Sequence, residues 1–130
     1  LSAATSRPAL ADETAPITSR FAEANGVRLH YLVAGDGPPV LLLHGFAQTS
    51  DMWRPFMAVL AKNHRVVAPD LRGFGASAKP EDGYDKKTMA VDMHALVETL
   101  GMPRVAVVGH DIGLMVAYAY AAQFPEGESR

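Results

Sequence analysis

The sequence predicts an α/β fold: a mostly parallel sheet with helices on both faces and an antiparallel hairpin on its N-terminal side. Three observations carry this. Short apolar runs at Val40–Leu43, Arg65–Asp70 and Val105–Val108 alternate with segments of helical period, the pattern of parallel strands joined by crossover helices. Two alternating runs flank Asn25-Gly26, a strong signal for a tight hairpin turn. The last apolar run ends in Gly109-His110-Asp111-Ile112-Gly113 and passes at once into the Ala-rich stretch from Leu114 to Ala122, which reads as strand, tight turn and helix with one carboxylate at the apex.

A chain of 130 residues, 48% hydrophobic and 20% charged, is long and apolar enough to bury one core. Its formal net charge of −2 offers no basic face for nucleic acid. No uncharged stretch reaches the length of a membrane span. The absence of cysteine excludes disulfides and Cys-based metal sites without fixing a compartment.

Residues 1–16, rich in Ala, Ser and Thr and without periodicity, read as an extended arm, and residues 17–130 as one folded unit. A weak period of two from Ile17 to Ala24 leads into the turn. On the return, Val27, Leu29, Tyr31 and Val33 alternate with Arg28, His30 and Leu32, so the hairpin is an antiparallel edge with one face on the core. His30 in this pattern is a half-exposed strand residue rather than a ligand. Gly35, Gly37, Pro38 and Pro39 end the hairpin. Val40–Leu43 is apolar throughout, as a strand buried on both faces must be, and it opens into His44-Gly45-Phe46-Ala47. A Gly directly after a buried strand lets the backbone turn and point N–H groups into a cleft; the plainer alternative is a strand end with a satisfied His.

Ser50 is placed to cap a helix over 51–61, with Met52, Phe56, Val59 and Leu60 inward and Trp53 able to join them. Arg65–Asp70 is the next strand. The loop Leu71-Arg72-Gly73-Phe74-Gly75-Ala76-Ser77 is Gly-rich, but it lacks the Lys-Ser/Thr pair and the spacing of nucleotide-binding loops. Lys79–Lys87 is polar surface around an Asp82-Gly83 turn. Thr88–Leu100 is a helix whose Met89, Met93, Leu96 and Leu100, widened by Val91 and Val97, face the core while Asp92 and Glu98 face out. Its methionines are core filler. Gly101 supplies the C-cap, Pro103 prevents continuation, and the final helix ends near Phe124-Pro125.

His44, Asp70 and Asp111 all fall at the carboxyl ends of parallel strands, where sheets of this kind place their sites. Gly109 and Gly113 flank the turn where strand and helix approach closely. Taken alone, Asp111 is equally an N-cap and a presented nucleophile. The set is more specific. Gly109-x-Asp111-x-Gly113, with His44-Gly45 closing an earlier strand and the loop Asp70-x-x-Gly73-x-Gly75-x-Ser77 between them, resembles the α/β-hydrolase family. The Asp at its centre is similar to the branch that contains epoxide hydrolases and haloalkane or haloacetate dehalogenases. The resemblance covers the N-terminal half of that fold and makes 17–130 the N-terminal part of its core domain.

The resemblance implies that Asp111 is the nucleophile and that the backbone N–H groups of Phe46 and Ile112 form an oxyanion hole. His44, Gly45, His110, Gly109 and Gly113 then line or build the site, and Asp70 with its loop is architectural. His110 leaves the elbow in a different direction and is set aside as the catalytic base. No cofactor or metal is implied, and the partner is a small-molecule substrate. An apical Asp, unlike Ser, displaces a leaving group from saturated carbon and forms an enzyme ester, which water cleaves at the Asp111 carbonyl.

Within the branch, Ile112 stands where haloalkane dehalogenases often have Trp and haloacetate dehalogenases Arg, and Phe46 where many haloalkane dehalogenases have Asn. This favours hydrolysis of an epoxide to a vicinal diol; the alternatives are an organohalide substrate with the same Asp, or a non-catalytic scaffold. Ala47, where many epoxide hydrolases have Pro, points to an atypical subgroup. Family members are longer, with a cap that assists the leaving group, a second acid and a late His. The expectation is therefore that a C-terminal segment or a companion chain completes the sheet, and that the 130 residues alone are inactive. If Leu1-Ser2-Ala3-Ala4 is the scar of a signal peptide, the protein is periplasmic or secreted, and otherwise cytoplasmic.

Overall fold

The computed structural model describes residues 16–102 and 104–125. The arm expected over 1–16 lies outside the described residues except for Pro16, as do the leader scar and the helix stop at Pro103.

Strands β1 (Thr18–Ala24) and β2 (Val27–Ala34) form the expected hairpin. Asn25 and Gly26 both take positive φ, 54° and 76°, as the tight turn between twisted strands requires. Strand β2 then pairs antiparallel with β4 (Arg65–Pro69), while β3 (Pro39–Leu43) and β5 (Ala106–Gly109) complete a parallel portion. The order is β1-β2-β4-β3-β5. Strand β3 lies between two parallel neighbours, and Leu41, Leu42 and Leu43 are all buried, which accounts for its unbroken apolar run.

Each face of the sheet has its own core. On one, Leu29, Tyr31, Leu41, Leu43 and Val67 pack with Met89, Met93, Leu96, Val116 and Tyr120 of helices α2 (Lys86–Thr99) and α3 (Ile112–Gln123). On the other, Leu32, Leu42, Val66 and Ala68 pack with Trp53 and Met57. Met57 belongs to the short helix α1 (Arg54–Leu60). No helix among the described residues is long and apolar enough to cross a membrane.

The structure corrects the expected helix over 51–61. Thr49, not Ser50, accepts the capping bond, from Asp51 N–H, and a 3₁₀ turn over Ser50–Trp53 precedes α1. A 3₁₀ turn has about three residues per turn instead of 3.6, so it shifts the inward face of the helix that follows. Met57 is consequently buried, whereas Phe56 and Val59 are exposed. Helix α2 also starts earlier than expected, capped by Asp85, whose carboxylate accepts from Thr88 N–H at 2.9 Å.

Asp92 is a second correction: it faces in. It lies one turn after Met89 and before Leu96, inside the apolar stripe, and is fully buried. The residue that makes this possible is Arg72, whose Nε and Nη2 donate to the two Asp92 carboxylate oxygens at 2.7 Å each. Asn25 Nδ2 donates to the same carboxylate at 2.9 Å. The contact with Asp92 holds the Arg72 guanidinium above its usual pKa despite burial. One buried fork thus ties α2 to the hairpin turn and to the loop after β4.

Candidate active site

The turn from β5 into α3 is built by the absence of two side chains. A Cβ on Gly109 would strike the backbone of Gly113 and Leu114, and a Cβ on Gly113 would strike the carbonyl oxygens of Leu43 and His44. Between them, Asp111 sits at φ 59° and ψ −119°, a conformation that costs a non-glycine residue about 1–3 kcal/mol. Its exposed side chain makes no capping bond to α3. Instead, Oδ2 accepts from the backbone N–H of Phe46, 65 residues earlier, at 2.9 Å. The side chain of Asp111 therefore does not serve its own helix as a cap; its carboxylate is turned to the loop that follows β3.

The donor belongs to the turn Gly45-Phe46-Ala47-Gln48. Gln48 N–H donates to Gly45 C=O at 3.1 Å, and Ala47 takes φ 62°. A side chain on Gly45 would meet Gln48 Oε1, His110 Nδ1 and Asp111 Cβ, so only Gly lets the turn and the elbow touch. His44 is buried, with Nδ1 2.8 Å from Gly45 C=O and Nε2 accepting from Leu71 N–H at 3.0 Å. That pairing assigns the neutral tautomer with the proton on Nδ1. Burial is the main cause that lowers its pKa, against the bond to Gly45 and the charge of Asp70. With both nitrogens engaged, His44 braces the loop and has no lone pair left to act as a base.

The structure brings Asp111, Phe46, Gly45, His44, Gly109 and Gly113 together. His110 joins through its backbone, which donates to Leu43 C=O at 3.0 Å, while its side chain is exposed. Ile112 heads α3, and the N–H groups of Gly113, Leu114 and Met115 are taken by the carbonyls of His110 and Asp111. Among the described residues, Phe46 is the one donor to the Asp111 carboxylate. The Phe46 side chain is 66% exposed and meets Phe74 edge-on. No group of three or more His, Asp or Glu among the described residues is arranged to hold a metal ion.

The family model for the alpha/beta hydrolase fold matches residues 38–127, which span β3, the turn, β4, α2 and the elbow. The chain belongs to the α/β-hydrolase family. This α/β hydrolase is 50% identical over 105 residues to a soluble epoxide hydrolase of Corynebacterium, covering 81% of the chain and 37% of that protein. It is 38% identical over 112 residues to a fluoroacetate dehalogenase of Burkholderia, covering 82% of the chain and 37% of that protein. The structure of the epoxide hydrolase CorEH without ligand superposes with a TM-score of 0.86 at 46% identity, covering 87% of the chain and 40% of that one. The chain thus spans less than half the length of the relatives it matches.

In this α/β hydrolase Asp70 organises the loop that follows β4. Its carboxylate accepts from Ser50 N–H at 2.7 Å, Ala76 N–H at 3.0 Å and His30 Nδ1 at 2.8 Å. Burial alone would raise its pKa, and these bonds outweigh burial and hold it low. Ser77 Oγ donates to Asp70 C=O at 2.6 Å, a Cβ on Gly75 would collide with the carboxylate and one on Gly73 with the Tyr84 ring, so each fixed position of the Asp-x-x-Gly-x-Gly-x-Ser loop has a physical duty. Sequence reasoning missed Gln48, whose side-chain oxygen accepts from Gly45 N–H at 3.1 Å. The available signal was a polar side chain at the fourth position of a turn that begins with Gly.

Proposed function

We propose that the intact protein opens epoxides to vicinal diols through an ester on Asp111. The observation that carries this is the 2.9 Å bond from Phe46 N–H to Asp111 Oδ2, made by a strained, exposed carboxylate that does not cap its helix. With Oδ2 held, Oδ1 is free to attack an epoxide carbon; the carbon–oxygen bond breaks and the ring oxygen takes a proton from an acid. Water, deprotonated by a base, then adds to Cγ of Asp111. The charge that develops on Oδ2 meets the Phe46 N–H, with Ile112 N–H as the second donor that the resemblance implies. Collapse breaks the Cγ–Oδ1 bond, and Oδ1 leaves on the diol with the proton that the base took from water. The acid and the base are not assigned to residues of this chain.

The likeness to the Corynebacterium epoxide hydrolase supports this reading. The likeness to the Burkholderia fluoroacetate dehalogenase supports a second one, in which the same Asp111 displaces a halide. Ile112 favours the first, since its side chain offers neither a donor to a departing halide nor a charge to a substrate carboxylate. For an epoxide and a haloalkane of matched carbon skeleton, diol formation by the intact protein is expected to exceed halide release by at least about 100-fold in kcat/KM, a difference of ~3 kcal/mol. Faster halide release would move the assignment to dehalogenation with Asp111 unchanged as nucleophile.

A further inference from the structure

The bond from Phe46 to Asp111 depends on how two successive peptide units are held. In a trans peptide the C=O and the N–H point in opposite directions, so fixing one end of the unit aims the other. The unit that ends in Phe46 N–H begins with Gly45 C=O, which is held by His44 Nδ1 at 2.8 Å and by Gln48 N–H at 3.1 Å. The unit before it carries Gly45 N–H, which is held by Gln48 Oε1 at 3.1 Å. Gly45 rotates freely on both sides of its Cα, and Ala47 sits at φ 62°, so apart from the one turn bond from Gln48 N–H nothing in this backbone keeps the donor in place. Hydrogen bonds into the carbonyl also polarise the amide and strengthen its N–H as a donor.

We propose that Gln48, acting with His44, is a positioning residue for ester hydrolysis: the two side chains clamp the peptide units around Gly45 so that Phe46 N–H stays aimed at Oδ2 of Asp111. This rests on the epoxide-opening reading and adds a division of labour between its two steps. During attack by Oδ1 the carboxylate loses negative charge to the ring oxygen, so a donor on Oδ2 gains nothing in that transition state. During hydrolysis the charge builds on Oδ2, and the donor gains most. A loosened clamp therefore slows the second step and spares the first.

The test is rapid quenching of the intact protein mixed with an epoxide, with the mass of the Asp111 peptide reporting the ester. Gln48→Met keeps the side-chain length and removes the acceptor. It is expected to slow ester hydrolysis by about 10-fold, so that ester accumulates, with ester formation within about 2-fold of the unsubstituted rate. Gln48→Glu restores an acceptor oxygen and is expected to recover part of the ester-hydrolysis rate lost in Gln48→Met, short of the unsubstituted rate because its charge opposes the one building on Oδ2. Equal losses in both steps, no change in either, or as much ester in Gln48→Glu as in Gln48→Met would overturn the clamp. An ester that forms normally and clears at the normal rate in Gln48→Met overturns the clamp alone, whereas no ester on Asp111 in the unsubstituted protein overturns the epoxide-opening reading and the clamp with it.

Discussion

Replacing Asp111 with Asn is expected to lower turnover of the intact protein by about 10⁴-fold or more, the scale on which loss of a nucleophile acts, while leaving its thermal midpoint unchanged. The amide carbonyl can still accept from Phe46 N–H at the position Oδ2 holds now. Asn also tolerates positive φ as well as Asp does, so the 59° at this position adds no new strain. What the variant lacks is the anionic oxygen that attacks carbon. Asp111→Gly separates strain from chemistry: it is expected to be as inactive, yet more stable by about 1 kcal/mol, because relief of the backbone strain exceeds the entropy that Gly adds to the unfolded chain. Retention of more than about 1% of activity by Asp111→Asn, well above that 10⁴-fold loss, would contradict the role given to this side chain.

The second large effect concerns stability. Asp92→Ala is expected to cost about 3–5 kcal/mol in urea unfolding, because it leaves the Arg72 guanidinium buried without its carboxylate. Arg72→Ala removes the same fork from the other side and is expected to cost as much. Replacing both, as in Arg72→Met with Asp92→Leu, is expected to recover most of the loss, since neither desolvated charge then remains. Arg72 also donates to Asp82 C=O at 2.9 Å, and its loop carries Phe74 against His44, so the single variants should also disturb the border of the site. A loss below about 1 kcal/mol in either single variant would mean that the pair is solvated as a surface pair is.

Most of the fold was legible because its signals are local. The Asn25-Gly26 turn, the apolar run over β3 and the methionines of α2 each express one physical requirement within a few residues. The elbow was legible for a different reason: Gly109 and Gly113 are demanded by backbone contacts, and a demand for glycine leaves a mark in sequence. The errors share a cause too. Periodicity puts a charged Asp92 outward, and what turns it inward is Arg72, 20 residues away in a loop, which the helix's own sequence does not reveal. An unbroken helical period over 51–61 puts Phe56 and Val59 inward, but the 3₁₀ turn before α1 shifts its face, and Ser50 N–H in that turn bonds Asp70 Oδ1, 20 residues away. Gln48 leaves only a weak mark, a polar side chain at the fourth position of a turn that begins with Gly, because its duty is to a backbone N–H that any nearby acceptor could serve.

The central claim, that Asp111 is esterified and regenerated by attack of water on its own carbonyl carbon, is tested most directly by turnover in heavy-oxygen water. A single turnover of the intact protein on an epoxide is followed by digestion and mass measurement of the peptide that contains Asp111. The mechanism predicts one heavy oxygen in the Asp111 carboxylate and none in the diol, because the diol leaves with Oδ1. Heavy oxygen in the diol with an unlabelled Asp111 would mean that water attacks the epoxide directly, and would contradict the account.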